Sequence, residues 1–178
     1  MSDPSDKHDG QIIVYTGNGK GKTTAALGLA WRALGRDLTV AVVQFVKGKW
    51  KTGERIFAER LPQLVFLVMG RGFTWESDDL SRDRAAAQAA WAESSRLILA
   101  GEHAVVILDE LTYVINYGFV PLAAVLETLA ARPRHVTVVI TGRSAPDELV
   151  AVADVVTEMR SIKHPFEKGN KAVPGLDY

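Results

Sequence analysis

TGNGKGKTT, residues Thr16 to Thr24, places three glycines and two lysines within nine residues. QIIVYT (11–16), a short apolar run of β character, leads into it. TTAALGLAWRALG (23–35) follows and reads as a helix, with Leu27, Trp31 and Leu34 on one face and Gly35 as its stop. Strand, glycine loop, helix is the context in which such a run holds phosphate. Gly17, Gly19 and Gly21 let the backbone curl close to phosphate oxygens. Several N–H groups then point inward at the positive end of the helix dipole. Lys22 supplies a point charge for terminal phosphates, and the Thr23 hydroxyl suits Mg²⁺, with Thr24 as a second contact. Gly17, Asn18, Gly19, Lys20, Gly21, Lys22, Thr23 and Thr24 together form the candidate ATP cradle. The common pattern is G-x-x-x-x-G-K-[ST]. Counting back from Gly21, Thr16 holds the first glycine position and Gly17 comes one residue late. The loop is either one residue tighter or begins on a threonine. A plain glycine turn is the bland alternative, but G-K-T-T in this context is too specific for it.

Outward from this loop the chain alternates strand-like and helical segments. Further strands are predicted at 38–46, 64–69, 104–109, 136–141 and 154–159. Helices are predicted up to Leu61-Pro62, over Leu80–Ala100 closed by Gly101, and over 110–118, 121–132 and 146–153. The end, from Lys163, has no clear period. Continuous apolar strands alternating with helices imply a parallel sheet covered on both faces. The expected fold is therefore α/β, P-loop NTPase-like (RecA-like), with a mainly parallel sheet of five to six strands. Ligands of such sheets bind at the carboxyl ends of the strands. The loops to watch are those after each strand: 16–24, 47–54, 70–79, Asp109-Glu110 and Gly142-Arg143.

With 178 residues the chain suits one domain, assigned to 11–178 behind a polar, disordered arm at 1–10. Lys+Arg and Asp+Glu are both 21, for a formal net charge of zero. That balance argues against broad binding to nucleic acid or anionic membrane. There is no cysteine, hence no disulfide, thiolate metal site or Cys nucleophile. The start, MSDPSDKHDGQ, lacks the apolar core of a signal peptide. The longest strongly apolar runs, such as AVVIL at 104–108, are far too short to cross a bilayer. The expectation is a cytoplasmic protein.

VVILDE (105–110) is an apolar strand ending in two carboxylates, as in a Walker-B element. Asp109 and Glu110 can hold Mg²⁺ or its waters opposite Thr23. Hydrolysis would need a positioned water, for which Glu110 or a residue of the 142–147 loop could serve; a kinase would need an acceptor site and a base. Arg143 could reach phosphate or be a surface arginine. Lys47, Lys49 and Lys51 around Trp50 are either a solvated charge run or a contact for an anionic ligand. His8, His103, His135 and His164 show no metal-ligand spacing. Neither hydrolysis nor phosphorylation accounts for GRGFTWES, where Phe73 and Trp75 either fold into the core or wall a large flat ligand.

TGNGKGKTTAA (16–26), VVQFVKGKW (42–50) with GE (53–54), MGRGFTWE (69–76), VVILDELTY (105–113), ARPRH (131–135), VVITGR (138–143) and the tail MRSIKHPFEKGNKAVPGLDY resemble, in order, the P-loop ATP:corrinoid adenosyltransferases of cobalamin biosynthesis and salvage. The likeness runs from about Gln11 to Tyr178. The shortened loop is itself the family's version. The resemblance implies that the Co(I) centre of a corrinoid attacks the 5′-carbon of ATP and that triphosphate leaves. The substrate brings its own nucleophile, so the protein must position C5′ against cobalt and stabilise the leaving chain. Lys22, Thr23 and Mg²⁺ (or Mn²⁺) would neutralise the phosphates, with Glu110 and Arg143 assisting and Asp109 the alternative metal partner. The family is understood to hold ATP reversed relative to most P-loop proteins. Phe73 and Trp75 match residues thought to pack beneath the corrin and displace its lower ligand, which eases reduction of the cobalt. The resemblance also implies an electron donor, a flavoprotein or similar, and a homodimer. Relatives often carry a longer N-terminal arm over the corrinoid; here about ten polar residues precede the first strand. That implies a less enclosed corrinoid or a lid from elsewhere, such as a partner subunit. Two other classes remain open from the residues: another P-loop ATPase or small-molecule kinase, and a nucleotide-dependent corrinoid carrier without chemistry.

Overall fold

A computed structural model describes residues 9–46, 52–70, 80–164, 169 and 171–176. In chain order the elements are β1 (Ile12–Thr16), α1 (Lys22–Leu34), β2 (Val40–Gln44), α2 (Gly53–Ala58), β3 (Leu64–Val68) and α3 (Leu80–Ala100), then β4 (Val105–Asp109), α4 (Leu111–Asn116), α5 (Leu122–Ala131), β5 (Thr137–Thr141), α6 (Asp147–Val152) and β6 (Val155–Glu158). The six strands form one sheet in the order β3-β2-β4-β5-β1-β6, with every pairing parallel. Each predicted strand is present, shorter by one to four residues, and the long helix has the predicted bounds. Its stop, Gly101, has φ +67, a left-handed turn that glycine adopts without a Cβ clash. At the end of α1, by contrast, Gly35 stays right-handed and the left-handed residue is Asp37, at φ 60.

Alternation along the strands divides the core into two layers. Val14, Val43, Leu108 and Ile140 face α3, α4, α5 and α6, whose Ile98, Leu111, Leu129 and Leu149 are fully buried. Ile13, Val42, Ile107 and Val139 face α1 and α2. Burial on both faces is why the central strands read as unbroken apolar runs. The helix α1 buries Ala26, Ala30 and Ala33 against the sheet. Leu27, Trp31 and Leu34 lie on the neighbouring stripe and are only partly buried or exposed. Alanine lets the helix axis lie close to the strands, which brings the N-terminus of α1 down onto the end of β1.

The strand carrying the two carboxylates, β4, is separated from β1 by β5. The carboxyl ends of β2, β4, β5 and β1 therefore form one line, and the polar residues that end these apolar strands stand side by side. Gln44 pairs in register with Asp109, and Thr141 with Tyr15. The tail after β6 has no helix or strand among the described residues.

Candidate active site

The strand β1 continues through Thr16, so the glycine loop opens at Gly17. The Thr16 hydroxyl oxygen accepts the Ala145 N–H (3.2 Å), tying this loop to the one after β5. Gly17 and Gly21 take positive φ, +92 and +116. A Cβ at Gly17 would lie 2.5 Å from the Met159 carbonyl oxygen, and one at Gly19 2.7 Å from that of Arg160. The backbone leaving β6 thus lies directly behind the loop. Gly19 gives its N–H to the Met159 carbonyl (2.6 Å). Asn18 through Thr24 line a cavity of about 960 Å³.

Lys22 is 7% exposed. Its ammonium donates to the carbonyls of Gly17 (2.7 Å) and Gly19 (2.8 Å), which hold it across the loop. Burial pushes its pKa below the ordinary value of 10.5, against the raising influence of Glu110; Arg143 lowers it further and Asp109 raises it.

Behind the loop, Asp109 is 1% exposed and accepts three hydrogen bonds. Thr23 Oγ1 and Thr141 Oγ1 each donate to Oδ1 (2.8 Å), and Gln44 Nε2 donates to Oδ2 (3.0 Å). Three of its roughly four acceptor positions are thus taken by neighbours. Glu110, next in the chain, lines the cavity in place of Asp109. It is not the first residue of a helix, as predicted, but a left-handed N-cap at φ 64. That conformation is unusual for a side chain with a Cβ and turns adjacent residues in opposite directions. The Glu110 N–H is taken up by Thr141 Oγ1 (2.9 Å).

Arg143 lines the same cavity. Its carbonyl accepts from Thr112 Oγ1 (2.7 Å) and Asn116 Nδ2 (3.3 Å), and Asn116 also reaches the Ser144 carbonyl (3.1 Å). Gly142, at φ +141, is packed so that a Cβ would strike Thr112 Oγ1. The loop after β5 is thereby clamped to α4, with Arg143 turned toward the phosphate loop.

The structure brings together Lys22, Thr23, Thr24, Glu110 and Arg143, and sets Asp109 one layer behind. Phe73 and Trp75 lie outside the described residues, as do Lys47, Lys49, Trp50 and Lys51. Among the histidines, His164 lines the cavity, while His135 Nε2 lies 2.9 Å from the Gly101 carbonyl at a helix end. No cluster of three or more His, Asp or Glu able to hold a metal occurs among the described residues. A divalent cation would instead draw on Thr23, Glu110 and the phosphates of the nucleotide, which suits Mg²⁺, a cation that keeps few protein ligands. Thr23 fits this role. Its proton is directed to Asp109, which leaves its oxygen lone pairs for a cation.

Sequence reasoning missed Gln44, Thr112, Asn116 and Thr141. A usable signal existed for two of them: Gln44 and Thr141, like Asp109, are polar residues closing an otherwise apolar strand. Also unassigned was the far wall of the cavity, where Leu27, Gly28 and Trp31 of α1 meet Phe57 of α2. The Trp31 and Phe57 rings meet edge to face at 5.1 Å. A Cβ on Gly28 would touch nothing within 4 Å, so this stripe of α1 faces open space.

Residues 8–178 match the family model for ATP:corrinoid adenosyltransferase BtuR/CobO/CobP. The chain is 49% identical over 170 residues to Corrinoid adenosyltransferase CobA of Salmonella typhimurium, covering 95% of this chain and 86% of that protein. It is 47% identical to the corrinoid adenosyltransferase of Escherichia coli K12 with the same coverage, and 45% identical to that of Pseudomonas aeruginosa, covering 95% and 84%. The phosphate loop, the paired carboxylates and nearly the whole length of the chain agree with that match, and the protein belongs to the ATP:corrinoid adenosyltransferase family.

Proposed function

We propose that this enzyme transfers the 5′-deoxyadenosyl group of ATP to the Co(I) centre of a corrinoid, either cobalamin or cobyrinic acid a,c-diamide. The cobalt electron pair attacks C5′, the C5′–O bond breaks, and its electrons leave on triphosphate. Cobalt is formally oxidised to Co(III) as the organometallic bond forms. The observation that carries this reading is the junction of a phosphate loop with Glu110 and Arg143 in one cavity, on a chain nearly half identical to named corrinoid adenosyltransferases.

Each group then has a task. The amides of residues 20–24, at the N-terminus of α1, and Lys22 bind the triphosphate and stabilise the charge it gains on leaving. Thr23 and Glu110 hold Mg²⁺ or Mn²⁺, whose charge neutralises the phosphates when bound. Arg143 adds a second cationic donor from the opposite side. None of these residues needs to remove a proton, because the nucleophile arrives already reduced.

Phe73 and Trp75 pack against the corrin and displace its lower ligand, in keeping with the family likeness. An electron donor supplies Co(I). The enzyme works in the cytoplasm as a homodimer; no helix among the described residues is long and apolar enough to cross a membrane.

The deciding experiment is anaerobic incubation with ATP, Mg²⁺ and chemically reduced corrinoid. The expected products are triphosphate, in equal amount to the corrinoid converted, and a light-sensitive alkyl-cobalt absorbance. ADP and orthophosphate without an organocobalt spectrum would instead mark an ATPase or kinase. Binding of both substrates with neither consumed would mark a carrier.

A further inference from the structure

Thr141 holds one hydroxyl between two groups of the site. It donates to Asp109 Oδ1 (2.8 Å) and accepts the N–H of Glu110 (2.9 Å). It is fully buried, as are its neighbours Asp109 and Gln44. The same Asp109 oxygen takes the proton of Thr23 (2.8 Å). One residue further on, the chain makes the Gly142 turn and reaches Arg143. Thr141 is therefore bonded or chained to Asp109, Glu110, Thr23 and Arg143.

We infer that Thr141 is a positioning residue for adenosyl transfer: its hydroxyl fixes the left-handed Glu110 and the orientation of Asp109, and through them the cation-binding geometry of Glu110 and Thr23. The inference rests on the reading of Thr23 and Glu110 as holders of the cation at the leaving phosphates. Its physical basis is that a hydroxyl has one proton and a limited set of lone pairs. With the proton spent on Asp109, Thr141 presents an acceptor to the Glu110 N–H. A left-handed residue other than glycine persists only where its surroundings hold it. Asp109, supplied by Thr141 and Gln44, in turn receives the proton of Thr23 and keeps that oxygen's lone pairs free. Groups one layer behind a metal ligand commonly change metal affinity by about 10- to 100-fold when removed. Gln44 strengthens the picture, since its Oε1 is buried without a partner while its Nε2 is spent on Asp109. A buried acceptor left unmet is costly, and the amide retains this orientation because Asp109 requires the donor.

The test compares Thr141→Val, which keeps the shape and removes the hydroxyl, with Thr141→Ser, which keeps the hydroxyl. Two readouts are taken. The first needs no ligand: hydrogen exchange at the Glu110 amide in the free protein, expected to quicken in Val and stay protected in Ser. The second is the Mg²⁺ concentration giving half-maximal ATP binding and half-maximal adenosylation. It is expected to rise about tenfold or more in Val, with the KM for corrinoid unchanged, and to return toward the starting value in Ser. Should the Val protein fail to fold, Ser against Thr141→Ala makes the same comparison. Equal impairment by loss and retention of the hydroxyl would overturn the inference, as would a folded Val protein with unaltered exchange and Mg²⁺ requirement. A wild-type enzyme indifferent to divalent cations would overturn the cation reading itself; the amide exchange would still decide whether the Thr141 hydroxyl holds Glu110.

Discussion

Lys22 experiences two opposed influences. Burial disfavours its charge, while Glu110 and Asp109 favour it, and in the free protein burial dominates. Its ammonium rests on the carbonyls of Gly17 and Gly19, neutral dipoles rather than a counter-ion. Arriving phosphates add negative charge beside it and raise its pKa back toward the ordinary value. Between the lowered pKa of the free protein and the higher one of the complex, the free lysine is partly neutral and the bound lysine is charged. Nucleotide binding in that alkaline window must therefore take up a proton, and affinity must fall as pH rises through it. Calorimetry of ATP binding in buffers of different ionisation enthalpy measures the uptake, which Lys22→Met should abolish. The lysine was legible in the sequence because its partners, the Gly17 and Gly19 carbonyls, lie within five residues, whereas the wall behind the loop at Met159 and Arg160 was not. Thr141, Gln44 and Asn116 were not, because their partners lie 27 to 65 residues away. Only strand order brings them together.

At the scale of elements, α1 shows why an apolar stripe is not by itself a core stripe. Leu27, Trp31 and Leu34 recur at helical spacing and are among the bulkiest apolar residues on the helix. The sheet nevertheless takes the alanines, with Ala26 and Ala30 fully buried. Close approach of helix to strands keeps larger side chains off the centre of the contact: Leu27, Leu29 and Leu34 pack at its edges, and Trp31 lines the cavity. Trp31 stands nine residues from Lys22, roughly 13 Å along the helix axis. Ala30→Leu should cost about 1–3 kcal/mol of stability by overpacking. Chemical denaturation reads this as a lower midpoint with unchanged slope. Since α1 carries the phosphate loop at its N-terminus, the same variant should also bind ATP more weakly. The central strands β4 and β5, by contrast, were legible to within a residue, because burial on both faces leaves an apolar run with a polar residue to end it.

Over the whole molecule, the two segments assigned to the substrates leave strands at different places along one sheet edge. The phosphate loop leaves β1. The segment holding Phe73 and Trp75 leaves β3, four strand positions away, on the order of 19 Å at the usual strand spacing. Between them stand the ends of β5, β4 and β2, with Glu110 above β4. If the corrinoid binds, as proposed, at the segment after β3, the two substrates enter separately, and a nucleotide in the reversed pose the family likeness implies directs C5′ along this line. Separate entry predicts separable defects. Trp75→Ala should slow conversion started from Co(II) corrinoid by about tenfold or more, as loss of control over an axial ligand alters the potential. Started from pre-reduced Co(I), the same variant should run close to the wild-type rate. Equal rates from Co(II) in the two proteins would remove Trp75 from the reduction step.

The backbone that closes the phosphate loop from behind belongs to Met159 and Arg160, and the strands flanking β1 are β5 and β6. The first of the six strands in chain order is thus among the last to be sheathed. Until about residue 141 is in place β1 has no hydrogen-bonded neighbour, and until about residue 160 the glycines have nothing to fold against. A chain cut before Met159 accordingly lacks the wall on which its glycines fold, and the shape of the phosphate loop is set by the strand farthest from it in sequence.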